Sequence, residues 1–179
     1  MRGIDFEEIY SPVARFETVR VFLTVATQLR WPIFQLDVKS VFLNGDLQEE
    51  VFVLQPEGFL VQGCEDKVHK LRKALYGLRQ APRAWYSKVN HYFIQHGFKR
   101  SENEPTLYTK KQGSGEFLVV CLYVDDIIYM GLCHSITEEF KNGMMTVFEM
   151  ADLGFLHYFL GLEVAQMEDG IFLYQKKYA

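Results

Sequence analysis

The chain has 179 residues, 49% of them hydrophobic and 15% aromatic, enough to fill a core, so wholesale disorder is excluded. Its longest uninterrupted apolar run, Phe117 to Val124, falls far short of the roughly 20 residues that span a bilayer, and no charged-then-apolar leader opens the chain. The formal net charge is −4, and three scattered cysteines, Cys64, Cys121 and Cys133, make no C-x-x-C pair; a disulfide framework and a four-cysteine zinc site are excluded, and a soluble protein of a reducing, intracellular compartment is expected.

With no repeat, low-complexity tract or obvious linker, one compact unit is expected. Val19, Phe22, Leu23, Ala26 and Leu29 recur at helical spacing and predict a helix over residues 15–30. Trp31-Pro32 stops it, because the residue before proline is pushed out of the helical region. Ile33 to Val38 alternates and predicts a strand; Val51 to Leu54 predicts a second, before the Pro56, Gly58 turn. Pro82 opens a helix through about His96, with Trp85, Val89 and Phe93 on one face and Gly97 as its cap. Thr106 to Lys110 and Glu116 to Tyr129 read as strands around a Gly113-Ser114-Gly115 turn, the second interrupted by Asp125-Asp126. Ile136, Phe140, Met144, Val147 and Phe148 predict a third helix despite Gly143, and His157 to Ala165 with Ile171 to Tyr174 predict a closing hairpin. Strands and helices mix without strict βα alternation, which predicts an α+β fold with an antiparallel sheet and helices on one face.

The charge is uneven. Between Lys67 and Arg100 stand nine Lys or Arg and no Asp or Glu, so the other residues carry 10 basic against 23 acidic side chains. Such a block is ordinarily a solvated face. Here the basic residues alternate with Tyr76, Trp85, Tyr86, Tyr92 and Phe93, which suits a surface that tracks a phosphate backbone.

Two stretches hold the candidate chemistry. Asp125 and Asp126 lie adjacent between apolar strands. A hairpin turn explains an Asp-Asp pair, since Asp bonds its own backbone there, yet the neighbours are Val124 and Ile127 rather than Gly, Asn or Ser. Carboxylates framed by hydrophobic strands are costly unless a cation or donor compensates them, and hard oxygen donors suit magnesium. Asp37, in Leu36-Asp37-Val38-Lys39-Ser40-Val41-Phe42-Leu43-Asn44-Gly45, ends an apolar strand. Alone it reads as a helix cap or turn residue. Together with Asp125 and Asp126 it would bring three carboxylates to one sheet edge, an arrangement that can hold two magnesium ions.

The string Tyr123-Val124-Asp125-Asp126 resembles the Y-x-D-D box of reverse transcriptases, and SPVARFETVR (Ser11 to Arg20), QLDVKSVFLNG (Gln35 to Gly45), LYGLRQAPRAWY (Leu75 to Tyr86) and HYFLGLEV (His157 to Val164) are similar to the copia-type retrotransposon form. The resemblance implies a reverse-transcriptase palm, a ferredoxin-like antiparallel sheet backed by helices, with part of the fingers over residues 1–179. A preceding basic fingers stretch, the thumb, the connection and RNase H would lie in other segments of a Pol polyprotein. It implies an RNA-directed DNA polymerase in which Asp37 and Asp125 bridge two Mg2+ (with Mn2+ as a substitute), Asp126 helps less directly and the Val38 carbonyl is an extra ligand.

Lys39, Ser40 and Val41 would face the incoming triphosphate through backbone N–H groups, and Phe42 would lie beneath the sugar and oppose a 2′-hydroxyl. Tyr76, Gly77 and Gln80 would line the nucleotide and template side, Tyr123 and Val124 the primer end, and Lys73, Arg79 and Arg83 the primer–template. The implied partners are dNTPs, an RNA or DNA template with its primer and the remaining Pol segments, with no membrane. The expected location is cytoplasmic, including virus-like particles. Val41, Leu132-Cys133 and Ala151 depart from the family pattern, which leaves a catalytically inactive nucleic-acid-binding remnant as the alternative.

Overall fold

The computed structural model describes residues 11–113 and 115–176, so Ser114 of the expected turn lies outside the described residues. In chain order the elements are helix α1 (Phe16–Leu29), strand β1 (Ile33–Val38), a 3₁₀ turn (Val41–Asn44), strands β2 (Phe52–Leu54) and β3 (Val68–Lys70), and helix α2 (Ala81–Gln95). Strands β4 (Lys99–Arg100), β5 (Leu107–Gln112), β6 (Glu116–Tyr123) and β7 (Asp126–Gly131) follow, then helix α3 (His134–Val147) and strands β8 (Met150–Phe155), β9 (Tyr158–Phe159), β10 (Leu162–Met167) and β11 (Gly170–Tyr174). These divide into two compact units rather than the one expected: Ser40–His91 with Ser11, and Pro12–Lys39 with the residues from Tyr92 on. No composition shift marks the boundary at Lys39/Ser40, and the second boundary falls inside α2.

The larger unit is built on an antiparallel six-stranded sheet of order β4-β5-β6-β7-β1-β8. Because side chains alternate between faces, its register sorts the residues. Ile33, Gln35 and Asp37 stand opposite Met130, Ile128 and Asp126 on one face, while Phe34 and Leu36 stand opposite Tyr129 and Ile127 on the other. The first face packs against α1, where Val19, Phe22, Leu23 and Ala26 form one cluster with Ile33, Val119, Cys121, Ile128 and Met130. Leu156 joins it, together with Phe159 and Val164 of the three-stranded sheet β9-β10-β11. Each large side chain so buried contributes about 1.5–3 kcal/mol by leaving water.

The second face is covered by α3 and the last turn of α2. The Phe140 ring lies 4.9 Å from that of Tyr129, and Phe93 lies 4.6 Å from Tyr108. Helices therefore lie on both faces, not on one. The reason is in the central strands: Leu118 to Leu122 and Ile127 to Met130 are continuous apolar runs rather than alternating ones, and all nine residues are buried. Such strands need cover on both sides. Gly131 permits the close approach of α3, since a Cβ there would stand 2.9 Å from Ile136 Cγ2.

The smaller unit holds the β2–β3 ladder, in which Phe52, Val53 and Leu54 pair with Lys70, His69 and Val68. The following loop is tied by Gln55, whose Nε2 donates to the Cys64 and Lys67 carbonyls while its Oε1 accepts from Val61 N–H. Gly45 follows the 3₁₀ turn in close contact with the start of α2: a Cβ would lie 2.8 Å from both Ala84 Cβ and the Trp85 nitrogen. Among the described residues no helix is long and apolar enough to cross a membrane.

Candidate active site

Asp37 is the penultimate residue of β1 and Asp126 the first of β7, and the antiparallel register sets them directly opposite each other. Directly opposed residues have Cα atoms about 4.5–5.5 Å apart and side chains on the same face. Asp125 belongs to the turn between β6 and β7, which is closed by the Tyr123–Asp126 pair and leaves Val124 and Asp125 as its two loop residues. The Asp125 carbonyl accepts a hydrogen bond from Val38 N–H at 2.9 Å, extending the β1–β7 ladder into the turn. Asp125-Asp126 thus straddles the end of the hairpin, as the turn reading of these residues expects.

The turn is strained. Val124 has φ 55°, a left-handed conformation that a β-branched residue rarely adopts. Positive φ at the first loop residue alone is the pattern of a type II′ turn, which ordinarily takes glycine there. Such strain persists only where the surroundings enforce it, and here the paired strands on either side do so.

All three aspartates are half-buried. Burial pushes the Asp126 carboxyl above its ordinary range; a hydrogen bond from Gln35 opposes the rise, while the charges of Asp125 and Asp37 add to it. Three mutually repelling carboxylates at a sheet end are a place where a cation lowers the energy. Among the described residues, however, no group of three or more His, Cys, Asp or Glu side chains is gathered closely enough to hold a metal ion by itself. Magnesium ordinarily binds through one or two carboxylates plus substrate phosphates and waters rather than through an all-protein cage. The opposed Asp37 and Asp126 with the adjoining Asp125 fit that donor set.

A family model of reverse transcriptase (RNA-dependent DNA polymerase) matches residues 1–179. This chain belongs to the reverse transcriptase family. It is 38% identical over 179 residues to the retrovirus-related Pol polyprotein from transposon TNT 1-94 of Nicotiana tabacum, covering 99% of this chain and 14% of that protein. It is 39% identical over 176 residues to the retrovirus-related Pol polyprotein from transposon RE1 of Arabidopsis thaliana, covering 98% of this chain and 12% of that protein. A Ty1 Gag-Pol polyprotein of Saccharomyces cerevisiae is 30% identical over 131 residues, 70% of this chain and 7% of the polyprotein. The chain therefore spans only a small part of the polyproteins it matches, and these relatives bear out the copia-type retrotransposon character of its motifs.

The remaining residues picked from the reverse transcriptase motifs fall in both units. Lys39 N–H is taken by the Glu149 carbonyl at 2.9 Å, so it is not a spare donor for a triphosphate. Ser40 is left-handed at φ 47° and leads into the 3₁₀ turn that carries Val41 and Phe42. The Phe42 ring lies 5.6 Å from that of Tyr76, which is 90% exposed, and Gly77 beside it has φ +91°. The Gln80 carbonyl accepts from Ala84 N–H in the first turn of α2, and Tyr123 meets Phe159 edge-on at 5.9 Å.

The basic stretch is less free than its sequence implies. Lys73 and Lys88 both pair with Asp46, and Lys70 with Glu50, so acids from just upstream neutralise part of it. Arg79 is exposed and Arg83 half-buried. Burial pushes the Cys121 thiol up to about 12, which leaves it inert at neutral pH. Gln35 stands inside the QLDVKSVFLNG motif but was given no role there. Its signal was an amide among apolar strand residues, two residues before Asp37 and hence on the same face.

Proposed function

We propose that this chain carries the palm, with part of the fingers, of a retrotransposon RNA-directed DNA polymerase. The observation that carries the reading is the opposition of Asp37 and Asp126 across β1 and β7, with Asp125 in the adjoining turn. The reaction is attack of a primer 3′-hydroxyl on the α-phosphate of a dNTP, with pyrophosphate as the leaving group, directed by an RNA or DNA template. Asp37, Asp125 and Asp126, with the Val38 carbonyl, would hold two Mg2+ or Mn2+ ions. Such ions, when bound, activate the attacking oxygen and neutralise charge on the leaving phosphate.

The chain's own contribution is placement. Paired strands hold Asp37 and Asp126 at a fixed spacing, and the strained Val124 turn fixes where Asp125 projects. In the Ser40–His91 unit, Ser40 and Val41 would offer backbone N–H groups to the triphosphate, Phe42 would support the sugar, and Tyr76, Gly77 and Gln80 would line the nucleotide and template side. Tyr123 and Val124 would meet the primer end, and Lys73, Arg79 and Arg83 the duplex backbone. Neighbouring Pol segments would add grip on the duplex, in the cytoplasm and in particles that package the template. A sheet of antiparallel strands carrying carboxylates at the end of a hairpin supports the palm reading, although the helices here cover both faces.

Primer extension tests the proposal, using the chain joined to its flanking Pol segments and either Mg2+ or Mn2+. Extension that is lost in Asp125→Asn and Asp126→Asn is the expected result, and extension that persists in both refutes the assigned site. Salt-sensitive duplex binding that is indifferent to both substitutions, without extension by the unmutated protein, would instead identify a binding remnant.

A further inference from the structure

We infer that Gln35 is a positioning residue that holds the Asp126 carboxylate in place for cation binding. The inference rests on the polymerase reading of the aspartates and adds a residue that the motif did not assign. Gln35 lies in the middle of β1, 4% exposed, with Phe34 and Leu36 on either side and Ile128 opposite. Its Nε2 donates to Asp126 Oδ1 at 2.7 Å, reaching diagonally along the face that it shares with Asp37. Its Oε1 is buried and has no hydrogen-bond partner. Turning the amide over would set that oxygen against the carboxylate, so the carboxylate itself dictates the orientation.

A residue of this kind is costly in a core. An apolar side chain of the same size would fill the site without an unsatisfied oxygen. Gln166, a half-buried glutamine, shows what a structural role looks like. Gln166 uses both ends of its amide: Oε1 accepts from Ile33 N–H, and Nε2 donates to the Ile33 and Leu156 carbonyls. It clips backbone to backbone, whereas Gln35 commits its one hydrogen bond to a carboxylate of the candidate site.

The backbone beside Gln35 is adapted as well. The β1–β8 pairing skips Leu153 between Gln35 and Leu36, and Gly154, opposite Gln35, has φ +70°. A bulge of this kind re-aims the side chains around it, and bulges recur beside active sites. With Oδ1 held by the amide, the Asp126 carboxylate cannot rotate freely, and its charge stays on the face of Asp37. Groups behind the ligands of a metal site commonly change affinity about 10–100-fold when removed.

The test is Mn2+ alone, titrated into the whole chain and followed by the loss of free-ion paramagnetic resonance signal, with thermal unfolding measured in parallel. Gln35→Met keeps the shape and removes the donor; a loss of Mn2+ affinity of about 10-fold or more, with an unchanged or higher unfolding midpoint, is expected. Gln166→Met should do the reverse, lowering the midpoint and leaving Mn2+ affinity alone. In an Asp126→Asn background, Gln35→Met should have no further effect on affinity, because the partner is already altered. If Gln35→Met does not fold, Gln35→Asn serves, its amide being one methylene too short to reach. Unchanged affinity in the Gln35 variant beside lost affinity in Asp37→Asn would overturn the assignment of Gln35 alone. Absence of Mn2+ binding by the unmutated chain, both alone and with primer–template and dNTP present beyond what these bind themselves, would overturn it together with the metal-site reading beneath it.

Discussion

The two compact units hold their candidate functional residues in different ways. In the sheet unit, Asp37 and Asp126 sit on paired strands whose ladder sets their spacing, and both faces of those strands are covered. In the Ser40–His91 unit, Phe42 rides on a short 3₁₀ turn and Tyr76 on a loop, and the β2–β3 ladder has only three residue pairs. Phe52, Leu54, Phe59, Leu60 and Tyr76 are all exposed there. Groups that must carry charge at fixed separations belong on a rigid scaffold. Surfaces that meet a chain of varying sequence can tolerate a less packed frame, whose local opening costs less.

The largest effect expected is on chemistry. Asp37→Asn should lower primer extension at least about 100-fold, in line with the loss of a preorganised electrostatic group, while leaving the unfolding midpoint nearly unchanged. An equal loss of stability would mean that Asp37 serves the sheet and not the reaction. Next come two glycines, one in each unit. Gly45→Ala would press a Cβ against the Ala84 Cβ and the Trp85 backbone nitrogen, and about 3 kcal/mol of destabilisation in urea unfolding is expected, the upper end for overpacking. Gly131→Ala meets side-chain methyl groups of Ile136 and Thr137, which can yield a little, so about 1–2 kcal/mol is expected. The reverse order would show that the smaller unit gives way more readily than the sheet.

Asp126 supplies a pH test within the sheet unit. Its carboxyl is raised from an ordinary 3.8, mainly by burial, so the folded state holds its proton more tightly than the unfolded chain does. The ionised group therefore costs stability at neutral pH, and the cost disappears as the pH falls toward the unfolded value. Asp126→Asn should accordingly raise the unfolding midpoint of the metal-free protein at pH 7 by a small amount, with the gain vanishing near about pH 4. A loss at pH 7 would mean that the Gln35 hydrogen bond outweighs burial.

The smallest effect belongs to the other unit. Hydrogen bonds from Lys73, then Lys88, hold the Asp46 carboxyl below its usual range, so its stabilisation is present above the unfolded value and lost as pH falls through the folded one. All three side chains are more than a third exposed, so Asp46→Asn should cost less than about 1 kcal/mol at low salt and nothing measurable at high salt.

Much of this could be read from residues alone. The stripe of Val19, Phe22, Leu23 and Ala26 located α1 to within a residue, the alternation from Ile33 to Val38 matched β1, and Gly97 caps α2 at φ +79°. Strand β8 was not readable. Met-Ala-Asp-Leu-Gly-Phe carries an aspartate, a glycine and a skipped residue, so its period is broken, and only pairing to β1 makes it a strand. The expectation of helices on one face failed for a similar reason, because a continuous apolar run does not say which element covers which side.

What the sequence determined by itself was the family, through long motifs in a fixed order, and the identity of three candidate carboxylates. What only the tertiary structure decided was their arrangement. That Asp37 faces Asp126 and that Gln35 reaches Asp126 depend on register between strands some 90 residues apart in the chain, and the left-handed Val124 depends on the β6–β7 pairing that closes its turn. Local preference acts over a few residues, whereas register is set by the packing of whole faces: a slip of one residue would turn Asp37 and Gln35 to the opposite side of the sheet.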